Sequence, residues 1–226
     1  MREMMRAAPG FHPPGRVADE SFRSLLGELA WRRLPSAVRE RFAWKPAPGA
    51  EIRYAGMMLV VRSSAVGWLV AQACRLIGTP LAPYRGGDVP TTVTLRLDRD
   101  GSGIVWDRLY RFPGHAPVHC VSSKKVAAGD GLIECVGAGI GMWLKLSEHK
   151  GELHFRSTGY FWRRGGLRLR LPGWLTPGEL LVVHADLGGG WFRFRIAVTH
   201  PVLGETFFQD GIFAEERGEP WTASSC

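Results

Sequence analysis

Between residues 132 and 213 the chain runs through short segments with apolar residues at every second position, each closed by a Gly- or Pro-bearing break. A period of two puts successive side chains on opposite faces of an extended strand, so the stretch reads as consecutive antiparallel strands over 132–136, 140–146, 152–162, 167–171, 179–186, 191–200 and 205–215. The same signature extends backward through 51–62, 92–97, 104–112 and 118–127, with Asp100-Gly101 as the hairpin turn between the second and third of these. The count reaches about eleven strands, and an open twisted sheet of that size curls, splits or closes on itself.

Helical periodicity is confined to the first third. Phe22, Leu25, Leu26 and Leu29 form one apolar stripe, which predicts a helix over 20–33 behind Asp19 as cap, and a short second turn carries Val38 and Phe42. Ser63-Ser64 opens a helix over about 65–77, where Val66, Leu69, Val70, Ala73 and Leu76 predict a broad apolar face and a largely covered helix. Residues 1–17 are punctuated by Pro and Gly and read as a loose arm; one β-rich domain is expected over 18–216, with 217–226 as a tail.

The 29 Lys and Arg exceed the 21 Asp and Glu, for a net charge of +8. Much of the excess alternates with apolar residues, as in Leu167-Arg168-Leu169-Arg170-Leu171, the pattern of a strand with one solvated basic face; weak attraction to nucleic acid or an anionic surface is the alternative. Nine tryptophans point to an aromatic interior or cavity wall. The four cysteines, Cys74, Cys120, Cys135 and Cys226, show no CxxC spacing, so reduced and mostly buried thiols are expected. No export signal and no run of ~18 apolar residues is seen, and a cytoplasmic protein is expected.

Catalytic and metal signatures are missing from the sequence: there is no HxH, HExxH or GxSxG, and no cofactor or metal is expected. Gly137-Ala138-Gly139-Ile140-Gly141 lacks the spacing of a dinucleotide fingerprint and is followed by a strand rather than a helix. The polar residues of interest are those that share a strand face with large apolar ones, because a buried polar group must be paired or functional. Trp106, Arg108 and Tyr110 share one face, so Arg108 can meet a carboxylate or phosphate between aromatic rings. Lys124, Glu134, Tyr160, His184, His200 and Gln209 complete the candidate ligand-binding set, with Glu134 a counter-charge for Lys124 or Arg108.

One set of short motifs runs through Leu25-Leu26-Gly27, Leu34-Pro35, Tyr54-Ala55-Gly56, Gly78-Thr79-Pro80-Leu81, Trp106-Asp107-Arg108, Ser122-Ser123-Lys124-Lys125, Glu134, Gly137 and Gly139-Ile140-Gly141-Met142. It continues through Gly159-Tyr160, Leu171-Pro172, Pro177-Gly178, His200-Pro201-Val202-Leu203-Gly204 and Gln209-Asp210-Gly211-Ile212-Phe213. In these motifs the chain resembles, from 25 to 213, a bacterial family known as a domain of unknown function, DUF 4166. Some relatives are fused to saccharopine-dehydrogenase-like or short-chain-reductase NAD(P)-binding domains, which implies a possible reductase partner.

The expectation is therefore a mainly β protein: a large antiparallel sheet closed or half-closed into a barrel of lipocalin-like general form, with the helices packed against it. Its expected role is non-catalytic binding of a small, largely apolar ligand, with or without an acidic group, which needs a cavity approaching ~300 Å³. Two alternatives stand beside it. One is an enzyme or reductase accessory with His184 or His200 as general base and Arg108 or Lys124 stabilising an anion; the other is a protein-docking domain.

Overall fold

A computed structural model describes residues 14–78 and 81–216. Among the described residues thirteen strands form, eleven of them in one antiparallel sheet. In chain order they are β1 (Arg16–Ala18), β2 (Trp44–Pro46), β3 (Ile52–Ser63), β4 (Gly86–Leu97), β5 (Gly103–Tyr110), β6 (Val118–Ala127) and β7 (Gly131–Gly137). There follow β8 (Ile140–His149), β9 (Glu152–Arg164), β10 (Leu167–Leu171), β11 (Glu179–Gly188), β12 (Trp191–His200) and β13 (Gly204–Glu215).

The order β9-β11-β12-β13-β3-β4-β5-β6-β7-β8 returns to β9 through the β8–β9 hairpin, so ten strands close a barrel and abolish its edges. The seam lies along β9. Its first half pairs with β11, from Leu153↔His184 to Arg156↔Leu181. Beyond a register shift against β8 near Thr158, its second half pairs with β10 instead. Where that ladder gives way, side chains take over: the Leu180 amide donates to Ser157 Oγ (2.8 Å) and the Tyr160 hydroxyl donates to the Gly178 carbonyl (2.8 Å). β10 consequently lies outside the barrel with both faces exposed, Leu167 and Leu169 included, which corrects the expectation of a strand with one covered face.

One end of the barrel is plugged. Helices α1 (Ser21–Leu26), α2 (Glu28–Arg33) and α3 (Ser36–Phe42) deliver Phe22, Trp31, Val38 and Phe42 to the core, where Phe22 and Phe42 pack on Phe155. The single helix expected over 20–33 is divided in two by Gly27, whose φ of +83° lies outside helical backbone. Residues 16–18, expected in part to be a loose arm, pair with β2; 1–13 and the 217–226 tail lie outside the described residues.

The other end is crossed by α4 (Ala65–Cys74), capped by Ser64 Oγ accepting from the Gly67 amide and continued by one 3₁₀ turn, Arg75–Ile77. Its orientation overturns the sequence expectation. The residues fully buried against the barrel are the small ones, Gly67 and Ala71, with Val70 and Cys74 half-buried beside them, while Val66, Trp68, Leu69 and Leu76 are exposed, Leu76 at 90% and Leu69 at 60%. The reason is steric: a Cβ on Gly67 would lie 1.8 Å from the Thr206 carbonyl oxygen, so only a face of small residues lets the helix seat this close.

The tryptophans depart from expectation in the same way. Trp31 and Trp106 are buried, but Trp68, Trp174 and Trp191 are exposed, and phenylalanines supply most of the aromatic core. Of the cysteines, Cys120 is buried while Cys74 and Cys135 are only half-buried, and all three are free thiols; Cys226 lies outside the described residues. The Gly137-Ala138-Gly139 stretch is the β7–β8 hairpin turn, with positive φ at all three residues.

Candidate functional site

The alternation of β5, β6 and β7 turns Trp106, Arg108, Ser122, Lys124 and Glu134 into the barrel, and register places them side by side: Arg108 opposite Cys120, Trp106 opposite Ser122, Lys124 opposite Glu134. Lys124 Nζ donates to Glu134 Oε1 at 3.0 Å and sits 4.8 Å from the centre of the Trp106 ring, an ion pair with a cation–π contact beneath it. Burial pushes the Lys124 ammonium below its ordinary pKa, partly offset by Glu134. Burial alone would raise the Glu134 carboxyl; the Lys124 and Arg108 charges outweigh it and hold the carboxyl below its ordinary value.

Arg108 is 7% exposed and spends its bonds on neutral acceptors: Nε donates to the Cys120 carbonyl (3.2 Å) and Nη2 to Ser122 Oγ (3.1 Å). A guanidinium stays charged at any pH a protein meets, and this one has no carboxylate hydrogen-bonded to it among the described residues. Glu134 Oε2 and Trp106 Nε1 are likewise buried without a hydrogen-bond partner among the described residues.

Arg108 and Glu134 line a cavity of about 200 Å³ at the α4 end of the barrel. Its other walls are apolar: Met142, Val182, Ile196 and Val198 from the strands, Val70 from α4, and Leu175 and Pro177 from the β10–β11 connection. The volume falls short of the ~300 Å³ expected for a drug-sized ligand. The shortfall has a cause, since Phe22, Phe42, Phe155, Phe192 and Phe194 fill the plugged end. A second, more open cleft of about 480 Å³ lies outside the seam and shares Tyr160, Leu171 and Thr176 with the cavity as a common wall.

Of the nine candidate residues, Arg108, Glu134 and Tyr160 meet at the cavity, and Lys124 and Trp106 stand behind them. The other four go elsewhere. His184 is 3% exposed within the aromatic plug, 5.0 Å from Phe42 and 5.1 Å from Phe194 between ring centres. Burial, then the charges of Arg41 and Lys124, hold its pKa well below the ordinary value, so it is a neutral imidazole. His200 Nδ1 accepts from the Val202 and Leu203 amides and fixes the β12–β13 turn. Tyr110 donates to Gln209 Oε1 at 2.8 Å, a closed pair with both side chains fully buried. The two histidines expected as general bases therefore do not converge on Arg108.

Sequence reasoning missed the contribution of α4 and of the 172–177 segment. Val70, Cys74, Leu175 and Pro177 belong to a helix and a turn, where strand parity carries no information about which way a side chain faces. Among the described residues no three His, Cys, Asp or Glu side chains come together as a metal site, and no helix is long and apolar enough to cross a membrane.

Comparison with curated proteins and with solved structures returns no match. A family model matches residues 34–213, described as "Domain of unknown function (DUF4166)". That span takes in β3 through most of β13, hence the whole barrel wall and the Arg108–Lys124–Glu134 cluster. The chain belongs to the DUF4166 family.

Proposed function

We propose that the barrel binds a small acid with an apolar body, its acidic head against Arg108 and its body along the apolar wall beneath α4. The observation that carries the reading is Arg108, 7% exposed, with no carboxylate hydrogen-bonded to it among the described residues and lining, beside Glu134, a cavity whose other walls are mostly apolar. A buried guanidinium of this kind favours an anion at the place where its remaining N–H groups point. Glu134 Oε2 adds an acceptor beside it, so a head group that also carries a donor, such as a hydroxyl, fits both. The cavity of about 200 Å³ sets the size: a short acid.

The test is native mass spectrometry of protein purified without added ligand, compared with its denatured mass, together with thermal melts in octanoate. A non-covalent acidic adduct, or a rise in melting temperature that grows with octanoate concentration, is the expected result. A clean apo mass with no rise in melting temperature overturns the proposal.

A further inference from the structure

We infer that the α4 end of the barrel docks on an anionic bilayer surface. Three segments close this end and are tied to one another: the Ser64 amide donates to the Thr206 carbonyl (3.0 Å), Gly67 packs on the same carbonyl, and Thr206 Oγ donates to the Pro177 carbonyl (2.9 Å). Each segment exposes large apolar side chains. α4 presents Trp68 and Leu69, the segment before β11 presents Trp174 at 75% exposure, and the β12–β13 turn presents Val202 at 83%. Burying such side chains on the far side of a helix or at the tip of a turn does nothing for the barrel, and leaving them in water is unfavourable.

Arginines outnumber acids around these tips. Arg75, Arg85, Arg163, Arg164 and Arg170 form no salt bridge among the described residues. The nearby acids Glu179 and Glu205 are each held by an arginine of their own, Arg156 and Arg62, which leaves Asp88 as the other acid on these segments. Tryptophan and leucine at protruding tips with uncompensated arginines beside them match the boundary between acyl chains and anionic headgroups. A protein partner would need a pocket for each tip; a bilayer receives protruding tips without one. The cavity lies at this same end, walled by Val70 and Leu175. The docking reading does not depend on whether that cavity holds an acid.

The test is flotation of the purified protein with phosphatidylcholine vesicles, with and without phosphatidylglycerol. Binding is expected only when phosphatidylglycerol is present. Trp174→Ser, at a highly exposed position, should lower the partition coefficient roughly tenfold. Arg75→Gln with Arg85→Gln should lower it roughly thirtyfold, about fivefold for each charge. Failure to float with anionic vesicles overturns the inference. So does binding that salt abolishes but Trp174→Ser and Trp68→Ser leave unchanged, which would reflect only the overall charge of +8. Self-association that is lost in the same two tryptophan variants, with no vesicle binding, would assign the face to a second copy of the chain instead.

Discussion

Gly67 on α4 lies directly against the Thr206 carbonyl at the start of β13, close enough that a Cβ would sit 1.8 Å from the oxygen. In an ordinary exposed helix, replacing Gly by Ala stabilises by about 0.5–1 kcal/mol. Here the backbone oxygen is held by the Ser64 amide (3.0 Å) and cannot move without breaking that bond, so the helix must lift. Gly67→Ala is therefore expected to destabilise by about 1–3 kcal/mol, measured by urea denaturation. A stabilised variant would mean that α4 does not seat on Thr206.

His184 makes stability depend on pH in a definite direction. Its folded pKa is depressed by burial among aromatic rings, whereas in the unfolded chain it titrates near 6.5. Below that value the unfolded chain takes up a proton that the folded chain excludes, so stability is fully present above about pH 6.5 and is lost as pH falls. His184→Phe should flatten the loss between about pH 6 and 5 by up to ~1.4 kcal/mol per pH unit. It should cost little at pH 7, since Phe42, Phe155 and Phe194 already surround the site and the unpartnered Nδ1 disappears. Denaturation series at several pH values would show it; parallel slopes in the two proteins would contradict a neutral buried imidazole.

Tyr110→Phe removes one hydroxyl and strands Gln209 Oε1, which is fully enclosed. The expected cost is about 1–3 kcal/mol, larger than the net worth of an ordinary hydrogen bond because a buried acceptor loses its donor. Adding Gln209→Leu should recover part of that cost, and a double-mutant cycle by chemical denaturation measures the coupling.

Strand parity groups Arg108 with Trp106 and Tyr110, and His184 with Leu180 and Val182, because a period of two leaves a side chain only two directions; it does not say which face is interior, and closure of the barrel is what turns these faces inward. About eleven strands leave curling, splitting and closing open, and ten of them close. The helix was misjudged because hydrophobic periodicity assumes that the bulky face is the buried one; on α4 the close approach of Thr206 selects the face with Gly67 and Ala71. The transfer of β9 from β11 to β10 was equally hidden, since it hangs on one irregularity near Thr158 that leaves the alternation on either side intact. The cavity followed from those two unseen features: its polar residues were legible as candidates and the helix as a cover for one end, while the side chains by which α4 and the 172–177 segment wall it were not.

The Lys124–Glu134 pair offers a test of how charge is balanced inside the barrel. Removing the carboxylate leaves Lys124 and Arg108 as two enclosed cations with no anion between them, so Glu134→Leu is expected to cost about 3–5 kcal/mol. Removing the ammonium is less severe. With Lys124→Met the remaining charges are Glu134 and Arg108, which are opposite and already interact, so the loss should be smaller than for Glu134→Leu. The double variant Lys124→Met with Glu134→Leu removes the desolvation cost of both partners and should lie closer to the parent protein than Glu134→Leu does. Urea denaturation of the three variants gives the ranking. If Lys124→Met proves the more damaging single change, Arg108 is not the second positive charge that Glu134 holds in balance.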